Sequence, residues 1–194
     1  MSEFPIATLL LILTTTTVSL SGFSSPALVG RLAFEVGPIL RRGQTERLLT
    51  SSFVHADAGH LLMNMFTLFV FGPDLEYRYG PVNFVCLYIF CAIASDLAVL
   101  LLRRQQLHYS AIGASDAVCG IVGAFCVLYP FDKIYVMFLP VGIPAIVYAV
   151  LYLAWSSWQS TTQRGNIAHD AHIAGTLAGA LAVLIASSNL VAGI

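Results

Sequence analysis

The stretch that decides the fold is AIGASDAVCGIVGAFCVLYP, residues 111–130, in which a serine and an aspartate open an otherwise apolar helix. From Ser115 to Tyr129 this helix has about 15 residues and rises about 22 Å, less than the hydrocarbon thickness of a bilayer. Its first residue is therefore expected to lie below the membrane surface. Irregular backbone at that depth is tolerated only beside protein or a water-filled cavity. We therefore predict that Ser115 faces a wet cavity.

The composition of the whole chain is that of a membrane protein. Of its 194 residues, 58% are hydrophobic and only 10% are charged, against about 25% in a soluble domain. The net charge of −1 and the lack of a basic stripe argue against a nucleic-acid partner. All four cysteines lie in apolar runs, which favours buried thiols over a disulfide framework.

Apolar segments of about 20 residues predict six membrane helices. They run near Phe4–Phe23, Gly59–Glu76, Pro81–Leu102, Ser115–Tyr129, Ile134–Trp158 and His169–Ser188. The long connection Ser24–Ala58 mixes arginine and glutamate with apolar residues, which is typical of a segment in the membrane interface. The predicted fold is an all-α membrane protein, a six-helix bundle with a long interfacial first loop, forming one domain over residues 1–194.

Three groups of polar residues interrupt these apolar segments, and such groups are usually functional. The first group is Gly113 to Asp116. Gly113 permits a tight turn, and Ser115 stands at a helix start, where free N–H groups and the helix dipole favour a developing anion. The alternative is that Ser115 only caps its helix.

The second group lies in AHDAHIAGTLAGA, residues 168–180. Three of its residues share one helix face: His172, Gly175 and Gly179. The GxxxG pattern lets another helix backbone come very close, and the fourth helix, with Gly120 and Gly123, is a natural partner. Ser115 and His172 would then meet as nucleophile and general base. The alternative for the histidine is a packing role.

The third group lies in HADAGHLLMNMF, residues 55–66, where His60 and Asn64 share a helix face. Together with the N–H of Ser115 they are able to hold an oxyanion, and the alternative is a hydrogen bond between helices. The histidines also raise the question of a metal. No HExxH motif is present, His55 and His169 are expected at helix ends near water, and no metal or cofactor is predicted.

With these groups in place, nearly the whole chain resembles the rhomboid family of intramembrane serine proteases. Four motifs carry the resemblance in the expected order: HxxxN at His60 and Asn64, ExxxG at Glu76 and Gly80, GxS at Gly113 and Ser115, and AHxxGxxxG at Ala171, His172, Gly175 and Gly179. Each motif alone is weak, and the four together are specific.

The resemblance implies a Ser115–His172 dyad without a third acid. His60, Asn64 and the Ser115 N–H would stabilise the oxyanion. The implied partners are the lipid bilayer and membrane proteins, whose transmembrane segments are cut near the membrane boundary, often after a small residue. Residues implied as structural support are Gly113, Gly175, Gly179, Glu76, Gly80 and Arg47.

Three positions depart from the family pattern. Asp116 follows the nucleophile where glycine is common, and we expect its side chain to turn away from the dyad. Cys119 occupies a position where an aromatic ring often stacks on the histidine. Glu46 precedes Arg47 where the family has tryptophan, so only the arginine of that pair is retained.

The resemblance implies a bacterial plasma membrane with the active site opening outward. Most arginines, among them Arg41, Arg42 and Arg104, would then lie outside, whereas the positive-inside rule favours the reverse. Two other classes of protein stay open: an inactive rhomboid relative that binds membrane clients, and a small transporter. A transporter needs a continuous polar path, and Asp96 is the only acid deep in a predicted span.

Overall fold

Helices dominate the computed structural model, which describes residues 4–135, 141–162 and 169–192. The helices are α1 (Ile6–Phe23), α2 (Pro26–Leu32), α3 (Val36–Arg42), α4 (Arg47–Thr50), α5 (Ala58–Tyr79), α6 (Pro81–Arg103), α7 (Ser115–Leu128), α8 (Ala145–Thr162) and α9 (His169–Ala192). A 3-10 turn covers Ser51–Phe53. Two antiparallel ladders join β1 (Phe34–Glu35) to β2 (Ser110–Ala111) and β3 (Lys133–Tyr135) to β4 (Gly142–Pro144).

The six predicted apolar segments correspond to α1 and α5–α9. Three of these helices, α1, α6 and α9, are long and apolar enough to cross a membrane in the part of the chain described. Apolar stretches in α7 and α8 are shorter. Large apolar side chains such as Leu13, Phe69 and Leu101 are more than half exposed on the outside of the bundle, as a lipid-facing surface requires. The crossing of α5, α7 and α8 stays a prediction.

The fifth predicted helix was wrong at its start. It begins at Ala145 rather than at Ile134, and β3 and β4 pair in the region before it, with Ile134 opposite Ile143. Pro144 lacks an N–H and disfavours helical backbone at the residue before it, so the helix starts immediately after this proline. The fold is therefore not strictly all-α.

The core lies where α1, α5, α6 and α7 meet. Leu68, Phe84, Tyr88 and Ile121 are fully buried there. Between apolar helices of a membrane protein, such side chains stabilise the fold through close van der Waals packing rather than by leaving water. This core holds α7 at the centre of the molecule, so the helix that carries Ser115 is surrounded by protein.

Glu76 joins α1 to the far end of α5. Its two carboxylate oxygens accept the N–H groups of Ala7 and Thr8 at 2.8 Å each and the hydroxyl of Thr8 at 2.7 Å. The first N–H groups of a helix have no partner within it, and a carboxylate satisfies both the hydrogen bonds and the dipole. Gly80, at φ 79°, then turns the chain from α5 into α6.

The connection between α1 and α5 is folded rather than open, and Arg47 organises it. The Arg47 side chain is buried and donates to the carbonyl oxygens of Gly30 at 2.9 Å and Ala33 at 2.6 Å, and to the Gln44 amide oxygen at 2.7 Å. It therefore holds the end of α2 against the start of α4. The structural role that the resemblance implies for this arginine stays a prediction, and these are the contacts on which it would depend.

Helix directions give the molecule two distinct ends. Contact of Glu76 with Ala7 and of His55 with Ser19 makes α1 antiparallel to α5. Because glycines of α7 and α9 meet in increasing order along both helices, these two helices are parallel. Ser115 therefore lies at one end of the bundle, whereas α1 begins and α9 finishes at the other.

Candidate active site

Two helix starts bring Ser115 and His172 together. Ser115 is the first residue of α7, and His172 is the fourth residue of α9. The Ser115 Oγ lies 2.8 Å from the His172 Nε2, a normal hydrogen-bond distance. The cap of α7 is Ala114, with no side-chain capping bond, so the alternative that Ser115 caps its helix is wrong.

This pairing depends on a glycine seam between α7 and α9, formed by Gly120, Gly123, Gly175 and Gly179. A Cβ added at Gly175 would overlap the carbonyl of Asp116, and one at Gly179 would overlap the carbonyl of Gly120. Likewise, a Cβ added at Gly123 of α7 would overlap the backbone of Thr176 of α9. The two backbones are in direct contact, as the GxxxG spacing predicts.

The turn before Ser115 requires a glycine at position 113. Gly113 has φ 125°, a backbone conformation that residues other than glycine rarely adopt. Its N–H donates to the carbonyl of Ser51 at 3.0 Å. A Cβ at this position would lie 2.5 Å from the Cε1 of His60. Gly113 therefore permits both the turn and the close approach of the His60 ring.

A cavity of about 930 Å³ opens beside the pair and is lined by Ser115, His172, His60 and Asn64 among others. The structure thus brings together all four residues predicted for the dyad and the oxyanion. The Asn64 Nδ2 donates to the carbonyl of His60, one turn earlier on α5, at 3.0 Å. One of its two amide hydrogens is used in that bond, which leaves the second for another acceptor.

His55 is a residue of this region that the sequence reasoning missed. It was expected near water, but it is 2% exposed, so that expectation was wrong. Its Nε2 accepts the N–H of Ala114 at 3.1 Å, and its Nδ1 lies 2.9 Å from the Oγ of Ser19, which in turn donates to the carbonyl of Phe53. Since Nε2 accepts, Nδ1 carries the proton and donates to Ser19.

The His55 ring is therefore held neutral between α1 and the turn that leads to Ser115. Burial first, and the neighbouring His60 second, lower the pKa of His55 to about 4, against a smaller opposing effect of Asp57. A neutral ring matches the burial, because a buried charge without a partner is costly.

Asp116 turns away from the pair. Its Oδ1 accepts the N–H of Ala117 at 2.7 Å and the hydroxyl of Ser52 at 3.4 Å. Ser51, the neighbour of Ser52, donates its hydroxyl to Asp96 at 2.9 Å. The two carboxylates thus hold the 3-10 turn from two sides, and that turn accepts the N–H of Gly113.

The ring contact described for His172 comes from His169 of α9 and not from position 119. The Cys119 Sγ lies 3.0 Å from the hydroxyl of Tyr152, and both residues line the cavity. The His172 ring instead has His169 edge-on at 5.9 Å, and Trp155 lies edge-on to His169 at 5.2 Å. His169 is buried, so its expected place near water was also wrong.

Within residues 4–135, 141–162 and 169–192, no three histidine, cysteine or acidic side chains converge in a way that would hold a metal ion. The four cysteines are free thiols.

Comparison with known proteins identifies the family of the chain. The rhomboid domain family matches residues 42–189, and the chain therefore belongs to the rhomboid family. Its members are generally intramembrane serine proteases. The chain is accordingly an integral membrane protein.

Three relatives illustrate the similarity. Rhomboid protein 1, mitochondrial, of Saccharomyces cerevisiae is 34% identical over 137 residues, or 69% of this chain. RHOMBOID-like protein 12, mitochondrial, of Arabidopsis thaliana is 26% identical over 73% of the chain, and the presenilin-associated rhomboid-like protein, mitochondrial, of Rattus norvegicus is 26% identical over 68%.

The matched regions span less than half of each relative, at 40%, 46% and 36% of their lengths. All three relatives carry mitochondrial names, which give no support to the bacterial plasma membrane that the resemblance implied.

Proposed function

We propose that this protein is an intramembrane serine endopeptidase in which Ser115 is the nucleophile and His172 the general base. The observation that carries the proposal is the 2.8 Å contact between the Ser115 Oγ and the His172 Nε2 beside a cavity in a membrane protein. A hydroxyl is a weak nucleophile until an adjacent base accepts its proton. An inactive relative has no need for this contact.

The reaction follows from these positions. The Ser115 Oγ attacks the scissile carbonyl while the His172 Nε2 accepts the hydroxyl proton, and the protonated ring then gives that proton to the leaving amine. A water molecule, activated by the same ring, hydrolyses the acyl-enzyme. His172 acts here without a third acid, and its orientation depends on the packing of α9.

Three groups are proposed to bind the oxyanion: the Ser115 N–H, the His60 ring and the Asn64 amide. The Ser115 N–H is available because the first amides of a helix have no acceptor within it, and the positive end of the helix dipole favours negative charge at this point. Removal of one such donor costs about 3–4 kcal/mol in soluble proteases.

The proposed substrates are transmembrane segments of other membrane proteins. A peptide bond inside a helix is sterically closed to attack, so a substrate must unwind near the membrane boundary. The cavity supports this proposal because apolar side chains such as Val118, Val122 and Trp155 line it beside the polar groups. A short small-residue segment in extended form would present its carbonyl to Ser115.

The proposal includes the membrane arrangement. We place α1 and α5–α9 across the bilayer as one rhomboid domain over residues 1–194. The bonds from Glu76 to Ala7 and Thr8 support this, because they attach the helix before the matched region to that region. The cavity then opens on the side opposite to the start of α1, which the resemblance assigns to the outer side.

Reporter fusions test that orientation. A reporter attached after Ile194 should report the cytoplasmic side in a bacterial host. A signal from the opposite side would reverse the arrangement and agree instead with the distribution of arginines.

The activity is tested with a serine-reactive fluorophosphonate probe on the purified protein in detergent and in liposomes. We expect labelling of the intact chain and of Ser157→Ala, an exposed serine on α8, and no labelling of Ser115→Ala or His172→Ala. A folded but unlabelled protein would favour the client-binding relative. Cleavage of a reporter with one transmembrane segment completes the test.

A further inference from the structure

Helix α6 contacts the residues directly before His172 at two points. The hydroxyl of Ser95 donates to the carbonyl of Ala171 at 2.6 Å. Two turns further along α6, the Arg103 guanidinium forms an ion pair with the Asp170 carboxylate. These contacts hold the first turn of α9, from which the His172 side chain projects.

The Arg103 side chain also contacts the wall of the cavity. Its guanidinium carbon lies 5.5 Å from the centre of the Tyr109 ring, within the range of a cation–π contact. Tyr109 and residues 110–112 line the cavity. The Tyr109 ring also meets Phe34 edge-on at 6.2 Å, and the Tyr109 carbonyl accepts the N–H of Val36 at 3.2 Å.

Arginine is suited to join these two contacts. Its guanidinium is planar, so one face stacks on an aromatic ring while the N–H groups at its edge bind a carboxylate. Lysine keeps the charge but not the planar stack. The Arg103 and Asp170 side chains are only 22% and 14% exposed, so solvent screens this pair less than it screens a surface pair.

We propose that Arg103 is a positioning residue that fixes the general base through Asp170 and the substrate-facing wall through Tyr109. This inference rests on the proposed protease function. The Arg103 side chain, at the end of α6, thereby fixes the position of His172 relative to the cavity wall at residues 109–112. The proposed dyad has no third acid, and in this proposal α6 restrains His172 through the backbone of α9 instead.

Loss of the Arg103–Asp170 contact and loss of the Arg103–Tyr109 contact should have different kinetic effects. Asp170→Asn removes the ion pair and leaves the Ser95–Ala171 hydrogen bond. This weakens the restraint on His172, so kcat should fall about tenfold, since misplacement of reacting groups by about 1 Å costs up to about 100-fold. KM should stay within about twofold. Tyr109→Leu loosens the wall, so KM should rise about fivefold while kcat changes little.

Conservative variants and a matched control distinguish a positioning role of Arg103 from a general loss of folded structure. Arg103→Lys keeps the ion pair and loses the stack, so it should behave like Tyr109→Leu. Arg103→Gln loses both contacts and should show both effects. Arg104→Gln, at the exposed neighbouring arginine, should match the unchanged protein in both constants. The inference would be overturned if Arg104→Gln changed kcat and KM as much as Arg103→Gln does. It would also be overturned if all the variants changed kcat and KM in the same way.

A second measurement does not depend on catalysis. Hydrogen–deuterium exchange of residues 169–176 in detergent should be about tenfold faster in Asp170→Asn and Arg103→Gln than in Arg103→Lys and Arg104→Gln, because the first turn of α9 frays when its restraint is removed. An unlabelled and inactive parent protein would refute the protease proposal alone. Unchanged exchange in Asp170→Asn would refute the positioning inference alone.

Discussion

Protonation of His55 should weaken the whole fold. Burial lowers the pKa of this ring from 6.5 to about 4 in the folded protein, so the unfolded chain takes up the proton first. The stabilising contribution of the neutral ring is therefore complete above about pH 6.5 and is lost as the pH falls toward 4. A difference of about 2.5 pH units corresponds to about 3 kcal/mol at most.

The assay is the free energy of unfolding in mixed micelles, measured between pH 7.5 and 4. His55 should account for up to about 3 kcal/mol of the stability that the unchanged protein loses over this range. At pH 7.5 the free energy of unfolding of His55→Gln should be lower than that of the unchanged protein, because the substitution disturbs the bonds to Ser19 and Ala114. The variant should lack the pH-dependent loss that His55 contributes. His108→Gln, at an exposed histidine, is the control and should keep it. Parallel pH profiles for the unchanged protein and His55→Gln would refute the reasoning.

Three further substitutions have defined outcomes. Glu76→Ala leaves two helix N–H groups and a hydroxyl without their acceptor, so the free energy of unfolding should fall by about 3–6 kcal/mol. The control Asp74→Ala, at an exposed residue of the same helix, should lower it by under about 1 kcal/mol. Asp116→Gly should lower the unfolding free energy by about 1–2 kcal/mol and keep the fluorophosphonate labelling rate within about twofold; a tenfold loss of labelling would contradict this. Gly179→Val should separate α7 from α9 and reduce labelling about 100-fold; wild-type labelling would contradict the described contact with Gly120.

Much of the site was predictable because its residues lie in short local patterns. Spacing by three and four residues places His172, Gly175 and Gly179 on one helix face, and one serine follows a glycine turn at a helix start. Helix geometry then leaves few ways to bring the polar residues together inside a membrane.

Other parts of the site were not predictable, because the contacts join residues far apart in the chain. His55 reaches Ser19, 36 residues away, and Arg103 reaches Asp170, 67 residues away. No periodicity in the sequence indicates such pairs. The β3–β4 ladder was missed because a continuous apolar run fits a strand and a helix equally well until Pro144 is weighed against it.

The glycine seam has a consequence for thermal inactivation. At the glycines of the seam, the α7 and α9 backbones touch without an intervening side chain, so the spacing of the two helices at those points cannot adjust by a change of rotamer. Under the proposed protease function, warming should then not lower the activity gradually. Activity should persist nearly unchanged up to the temperature at which the bundle itself comes apart, and the two losses should coincide.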